Sequence, residues 1–107
     1  MDQAAGGALG VLLIEAEIRR ALAFVEAAYD QTRLARENYA LAAKLQRGEE
    51  RKFELGSSNL IDVNIREIQT ADAARALVFA QAAYFRAIAR YEAAIAGRER
   101  QKSATAA

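Results

Sequence analysis

The sequence predicts an all-α protein built as a long antiparallel helical hairpin with coiled-coil-like packing. Three observations lead to this prediction. The 107 residues include 27 alanines and no proline, so helix formers dominate and no residue interrupts a long helix. Apolar residues recur every three or four positions along most of the chain, as they do on one face of a helix. A single strong turn sequence, Gly56-Ser57-Ser58-Asn59, separates the pattern into two halves.

Charge and composition exclude several classes of function. Lys and Arg number 15 and Asp and Glu number 14, so there is no basic surplus to neutralise a nucleic-acid backbone. The chain has no histidine and no cysteine, which excludes imidazole catalysis, thiol chemistry, disulfides and zinc sites built on these ligands. We therefore expect no enzyme activity, no catalytic residue, no cofactor, no metal site and no nucleic-acid partner.

The first helix is predicted over residues 11–53, after an N-terminal segment, 1–10, that is predicted to be disordered or truncated. The segment has no basic start and its apolar run is short, so we expect no signal peptide in this chain. The apolar positions of the helix form a band wider than one seam. They are Ile14, Ile18, Ala21, Val25, Ala28, Ala35, Tyr39 and Ala42, with Leu22, Tyr29, Leu34, Leu41 and Leu45 beside them.

The turn is predicted over residues 54–59. Gly56 can adopt the left-handed backbone conformation that closes a helix. Asn59 followed three residues later by Asp62 resembles a capping box, and the Asp62 carboxylate would lie at the positive end of the next helix. These residues predict both the end of one helix and the start of the other.

The second helix is predicted over residues 60–96, and residues 98–107 are predicted to form a disordered tail. Its apolar band is also wider than a single partner helix can cover. An alanine-rich seam brings two helices close together but removes little area from water. Because ordering costs about 1.5 kcal/mol per residue, an isolated hairpin is expected to be marginally stable. Further helices are therefore expected, from copies of the chain or from a longer protein.

The residues around the turn carry a resemblance to a known family. The pattern consists of an aromatic residue followed after two residues by glycine, and then after five residues by Asp-Val. In this chain its positions are Phe53, Gly56, Asp62 and Val63. This pattern is similar to the periplasmic end of the TolC-like outer-membrane efflux proteins, near the close of their second structural repeat. Other residues that match are Arg36, Asn38, Leu41, Ala42 and Leu45 before the turn, and Ala82-Ala83-Tyr84-Phe85 and Tyr91-Glu92-Ala93-Ala94-Ile95-Ala96-Gly97 after it.

The resemblance, which covers about residues 15–97, implies a function in transport. Members of the family form homotrimeric channels in which an outer-membrane barrel continues as an α-helical barrel across the periplasm. The hairpin would be one part of that α-barrel and would line the export duct. Its implied partners are a periplasmic adaptor (membrane fusion) protein and an inner-membrane pump. The sequence shows no alternating strand pattern, so contact with the membrane is expected only through a barrel outside this chain. We expect this chain to be a C-terminal piece of the full protein.

The same resemblance implies which residues form the adaptor-docking tip. They are Phe53, Gly56, Ser57, Ser58, Asn59, Leu60, Asp62 and Val63. Polar groups in an exposed turn suit contact between two hairpin tips, where hydrogen-bond geometry matters more than buried area. The family often continues Asp-Val-Leu-x-Ala, whereas this chain has Asn64, Ile65 and Arg66 after Val63. Residues that hold the channel entrance shut are therefore not assigned.

One alternative belongs to a different functional class. A free-standing interaction protein of this size could fold as the same hairpin and self-associate into a four-helix bundle. Both hypotheses predict wide apolar bands on the two helices. They differ in location and partner, since the first places this segment in the periplasm as part of an outer-membrane protein.

Overall fold

The computed structural model describes residues 2–106, which form two α-helices joined by a short turn. Helix α1 spans Asp2–Glu54 and helix α2 spans Leu60–Ala106. No strand occurs in the described part of the chain. The predicted all-α hairpin fold is therefore confirmed.

Both helices extend further than the sequence predicted. Residues 2–10 and 98–106 are helical, where disordered ends were expected. An ion pair joins the two helices near these ends, with the carboxylate of Glu15 3.7 Å from the guanidinium of Arg98. A Cβ placed on Gly10 would lie 3.8 Å from the side-chain amide of Gln101. The expectations for Met1 and Ala107 lie outside the described residues, and the expected truncation stays a prediction.

One compact unit combines the part of α1 up to Tyr29 with the part of α2 from Ala83 onward. Its core cluster consists of Ile18, Ala21 and Ala94, against which Ile14 and Tyr91 pack. Three of these five side chains are isoleucine or tyrosine, and the two alanines fill the spaces between them. Large and small residues therefore interlock across this seam, as in coiled coils.

A second compact unit spans Asp30–Ala82 and contains the turn. Two hydroxyl groups contact the facing helix. Thr32 donates to the carbonyl oxygen of Ala80 over 3.2 Å. The Thr70 hydroxyl lies 3.2 Å from the carbonyl oxygen of Ala42 and 3.0 Å from that of Arg66 in its own helix, so its one proton is shared between the two acceptors. Thr32 and Ala80 both lie 24 positions from Gly56, and Ala42 and Thr70 both lie 14 positions from it. The two bonds therefore fix one common register, centred on Gly56.

Little of the apolar surface is buried. The buried hydrophobic side chains are Ile18, Ala21, Val63, Ala73, Ala80 and Ala94. Large side chains such as Leu34, Leu41 and Phe85 remain more than half exposed. Within each unit, the helices therefore bury mainly small side chains and leave large apolar side chains exposed among the described residues.

The Thr32 hydroxyl is expected to contribute measurably to stability. Thr32 is only 6% exposed, and its bond to Ala80 joins residues 48 positions apart. Thr32→Val keeps the side-chain shape and removes the donor, so we expect the free energy of unfolding to fall by about 1 kcal/mol. Urea denaturation measures this change. Thr32→Ser, which keeps the hydroxyl, is the control, and a valine variant as stable as the wild type would contradict the prediction.

Candidate functional site

The end of α1 is closed by backbone hydrogen bonds centred on a glycine. The amide of Gly56 donates to the carbonyl of Phe53 over 3.1 Å, and the amide of Ser57 donates to the carbonyl of Lys52 over 2.8 Å. These two bonds form a Schellman motif, which requires a left-handed residue after the helix. Gly56 has φ = 81°, and it is the only residue with positive φ in the described part of the chain. The predicted role of Gly56 is confirmed.

The start of α2 is capped by an asparagine side chain. The Oδ1 of Asn59 accepts a hydrogen bond of 2.9 Å from the amide of Asp62. The carbonyl of Asn59 accepts the first helical bond, from the amide of Val63, over 3.3 Å. Asp62 lies in the first turn of the helix, where a carboxylate interacts favourably with the helix dipole. The predicted cap is therefore present.

Side-chain hydrogen bonds also hold the turn against α1. The hydroxyl of Ser58 donates to Oε1 of Glu49, and the hydroxyl of Ser57 donates to the carbonyl of Lys52 over 3.2 Å. The Glu49 side chain is only 14% exposed, and its other oxygen lies 4.0 Å from the Lys52 ammonium. With both caps in place, these contacts hold the turn in one defined geometry. The tip is therefore a preformed surface.

Most of the predicted docking residues reach this surface. Phe53 is 45% exposed and Leu60 is 57% exposed. Gly56, Ser57, Asn59 and Asp62 are exposed as well, and Ser58 is half-buried. Val63 is 5% exposed, because it begins the buried seam of α2. The structure thus brings seven of the eight predicted residues to the surface and places Val63 beneath it.

The tip is more apolar than the sequence motif indicated. Leu55 is 73% exposed and Ile61 is 70% exposed, and Ile65 and Ile68 continue the apolar surface along α2. Leu55, Ile61 and Ile65 lie within two helical turns of the glycine-serine turn, and Ile68 lies about three turns from it. The sequence indicates the apolar surface of α2 through isoleucines at positions 61, 65 and 68, which are spaced by four and three residues and lie outside the seam pattern. The tip therefore combines a polar turn with the exposed Leu55 and with an apolar stripe along one face of α2.

A shallow groove beside the tip supplies the polar part of the surface. It has a volume of about 340 Å³ and is lined by Glu49, Asp62, Ile65, Arg66 and Gln69. The groove presents both signs of charge together with amide groups, a combination suited to hydrogen bonds with another protein. Among residues 6–104, whose side chains the structure describes, no three acidic side chains converge on a point that could hold a metal ion.

The fold and the tip together define a class of protein: a helical hairpin with apolar flanks and an exposed apolar tip. Comparison of the chain with models of protein families, with curated proteins and with solved structures finds no significant match. Neither helix, over the described residues, has a stretch with the length and apolar character needed to cross a membrane. Function is therefore inferred from the residues and their geometry.

Proposed function

We propose that the chain is a helical hairpin of an outer-membrane efflux channel. In this function it lies in the periplasm as one part of an α-barrel, lines the export duct and docks a periplasmic adaptor protein at its tip. The adaptor connects the duct to an inner-membrane pump, and the complete channel is a homotrimer. The observation that carries the proposal is the coexistence of exposed apolar flanks with a hydrogen-bonded turn that has exposed apolar side chains beside it.

The exposed apolar flanks of the two helices support packing of the hairpin against neighbouring helices. Leu34 is 53% exposed and Leu41 is 55% exposed on α1, outside the seam with α2. On α2, Val78 is 62% exposed and Phe85 is 68% exposed, also outside the seam. A helix that carries two apolar stripes packs against two neighbouring helices, as the helices of a barrel wall do.

The tip supports docking against another helical hairpin. Leu55 and Ile61 project apolar surface, while the hydroxyls and amides of the turn lie between them. An interface with an apolar centre and surrounding hydrogen bonds is the usual composition of a specific protein contact. The tip is small, so the affinity of a single hairpin is expected to be low and to depend on several hairpins docking together.

Site-specific photo-crosslinking in the native cell tests the proposal. A photoreactive amino acid replaces Leu55 at the tip in one variant, and in the control it replaces Leu12, which is 67% exposed in the other unit. The proposal predicts that the Leu55 variant captures a membrane-anchored periplasmic adaptor and that the Leu12 variant does not. Identical products from both positions would contradict it. Capture of nothing but further copies of this chain would favour the free-standing four-helix bundle.

A further inference from the structure

The first turns of α1 contain the longest uncharged run in the chain. Residues 3–14 hold no charged side chain, and residues 8–14 consist of alanine, glycine and large aliphatic residues. The next longest uncharged run, residues 76–85, is shorter. The family resemblance begins at about residue 15, so it gives this first run no role. The run therefore needs an explanation that comes from its own surface.

Three leucines of the run are exposed on one face of α1. Leu9, Leu12 and Leu13 are 58%, 67% and 62% exposed, and their spacing of three and four positions places them on the same side of the helix. Ala16, which is also exposed, continues this face. Leu9 lies nine positions, or two and a half helical turns, before the core residue Ile18, so the face points away from the seam with α2. We call Leu9, Leu12, Leu13 and Ala16 the leucine patch.

Two arginines extend the same face. Arg19 lies seven positions after Leu12, and Arg20 lies seven positions after Leu13, so each arginine follows its leucine by about two helical turns. Both arginines are exposed. Neither forms an ion pair with the residues that the structure describes. The leucine patch is therefore followed directly by two positive charges that are available to a partner.

The acidic residues of this stretch do not neutralise the two arginines. The Glu15 carboxylate is engaged by Arg98 of α2, at 3.7 Å. Glu17 is exposed at the edge of the leucine patch, and it is one carboxylate beside two guanidinium groups. The neighbouring part of α2 adds the exposed Arg100. The apolar patch is therefore accompanied by an excess of positive charge.

This combination matches the chemistry of an anionic lipid surface. Helices that lie in the membrane interface carry large aliphatic side chains on one face and Lys or Arg beside them. The leucines enter the boundary between headgroups and acyl chains, while the long arginine stems let the guanidinium groups reach lipid phosphates. A second protein helix would cover the leucines equally well, but it would not by itself supply negative charge for the arginines. Anionic phospholipid supplies both parts.

We propose that the leucine patch binds the surface of a membrane that contains anionic phospholipid, with Arg19 and Arg20 at the headgroups. The leucines reach about 5–10 Å into the interface, while the seam residues of α1 stay packed on α2. This contact goes beyond the proposed efflux function and needs neither the adaptor nor the docking tip. It is also separate from the membrane contact that the family resemblance implies for another part of the protein.

Co-sedimentation of the full chain with lipid vesicles tests the apolar part of the contact. The vesicles contain phosphatidylcholine with phosphatidylglycerol. The double variant Leu12→Gln, Leu13→Gln removes apolar surface but keeps good helix formers, and its affinity for these vesicles is expected to fall at least about tenfold. The matched control is Leu34→Gln, Leu41→Gln, at positions 53% and 55% exposed in the other unit, and it is expected to bind as the wild type does. Circular dichroism verifies that all variants are helical.

The double variant Arg19→Gln, Arg20→Gln tests the electrostatic part of the contact. Each arginine near an anionic surface strengthens binding about fivefold, so the double variant is expected to bind the mixed vesicles about 25-fold more weakly. On vesicles of phosphatidylcholine alone, the variant and the wild type are expected to bind equally weakly. Added salt is expected to weaken binding of the wild type to the mixed vesicles more than binding of the variant, because salt screens exposed charges.

An introduced tryptophan locates the contact on the chain. The natural sequence has no tryptophan, so a single one reports only its own surroundings. The emission of Leu12→Trp is expected to shift to shorter wavelength when mixed vesicles are added. The matched control is Phe79→Trp in the other unit, where the natural side chain is 66% exposed compared with 67% for Leu12. Its emission is expected to stay unchanged.

Four results would overturn the proposal. The first is a wild-type chain that does not bind the mixed vesicles, and the second is full binding by Leu12→Gln, Leu13→Gln. The third is a wavelength shift at Phe79→Trp without one at Leu12→Trp. The fourth is loss of self-association in the glutamine variant with no lipid binding by the wild type, which would identify a second copy as the occupant. Adaptor capture through Leu55 is scored separately, so failure of lipid binding and failure of the efflux proposal are distinguishable.

Discussion

Replacing Ala21 with leucine is expected to lower the free energy of unfolding by about 1–3 kcal/mol, because three additional carbon atoms must enter a packed seam. Ala21 is 2% exposed and belongs to the core cluster with Ile18 and Ala94. The helices cannot keep their spacing with a leucine at this position, so neighbouring contacts are lost as well. Urea denaturation followed by circular dichroism measures the effect.

Ala23→Leu is the matched control for this substitution. Ala23 lies two positions further along α1 and is exposed, so the same added side chain has free space. Its effect on the free energy of unfolding is expected to stay within about 0.5 kcal/mol. Equal losses for the two variants would show that Ala21 does not lie in a tightly packed seam.

Replacing Gly56 with alanine is expected to cost about 1–2 kcal/mol through the backbone alone, because alanine disfavours left-handed conformations. Gly56 has φ = 81°, and nothing lies within 4 Å of the position that a Cβ would occupy. The loss therefore measures backbone strain in the turn, without a contribution from side-chain clashes. Chemical denaturation of the variant gives its size.

Gly48→Ala provides a control with the opposite sign. Gly48 lies inside α1, and a Cβ there also meets nothing within 4 Å. Alanine at an open helical position is expected to raise the free energy of unfolding by about 1 kcal/mol. If both glycine substitutions shift stability in the same direction, the left-handed turn at Gly56 is not the conformation in solution.

The parts of the structure that depend on neighbouring residues could be predicted from the sequence. The residue types of Gly56 and Asn59 are enough to predict their structural roles. Gly56 adopts the left-handed conformation, and the Asn59 side chain caps the next helix. The spacing of apolar residues by three and four positions similarly predicts the two helices. The hairpin and its turn follow from such local information.

The parts that depend on distant residues could not be predicted in this way. The bond from Thr32 to Ala80 joins positions 48 residues apart, and a lone threonine in a helix gives no indication of its partner. The same reason explains the helical ends, where Glu15 and Arg98 meet only after the hairpin has closed. The sequence motif places Val63 at the docking tip, whereas in the structure Val63 is buried in the seam between the helices.

The central claim is that the apolar flanks of the hairpin are buried by further helices. The dependence of the thermal unfolding midpoint on protein concentration tests it most directly, because association with other copies stabilises the folded state by mass action. We expect a midpoint that rises steadily as the purified chain is concentrated. A midpoint that stays constant across the accessible range, with a monomeric sedimentation coefficient throughout, would contradict it.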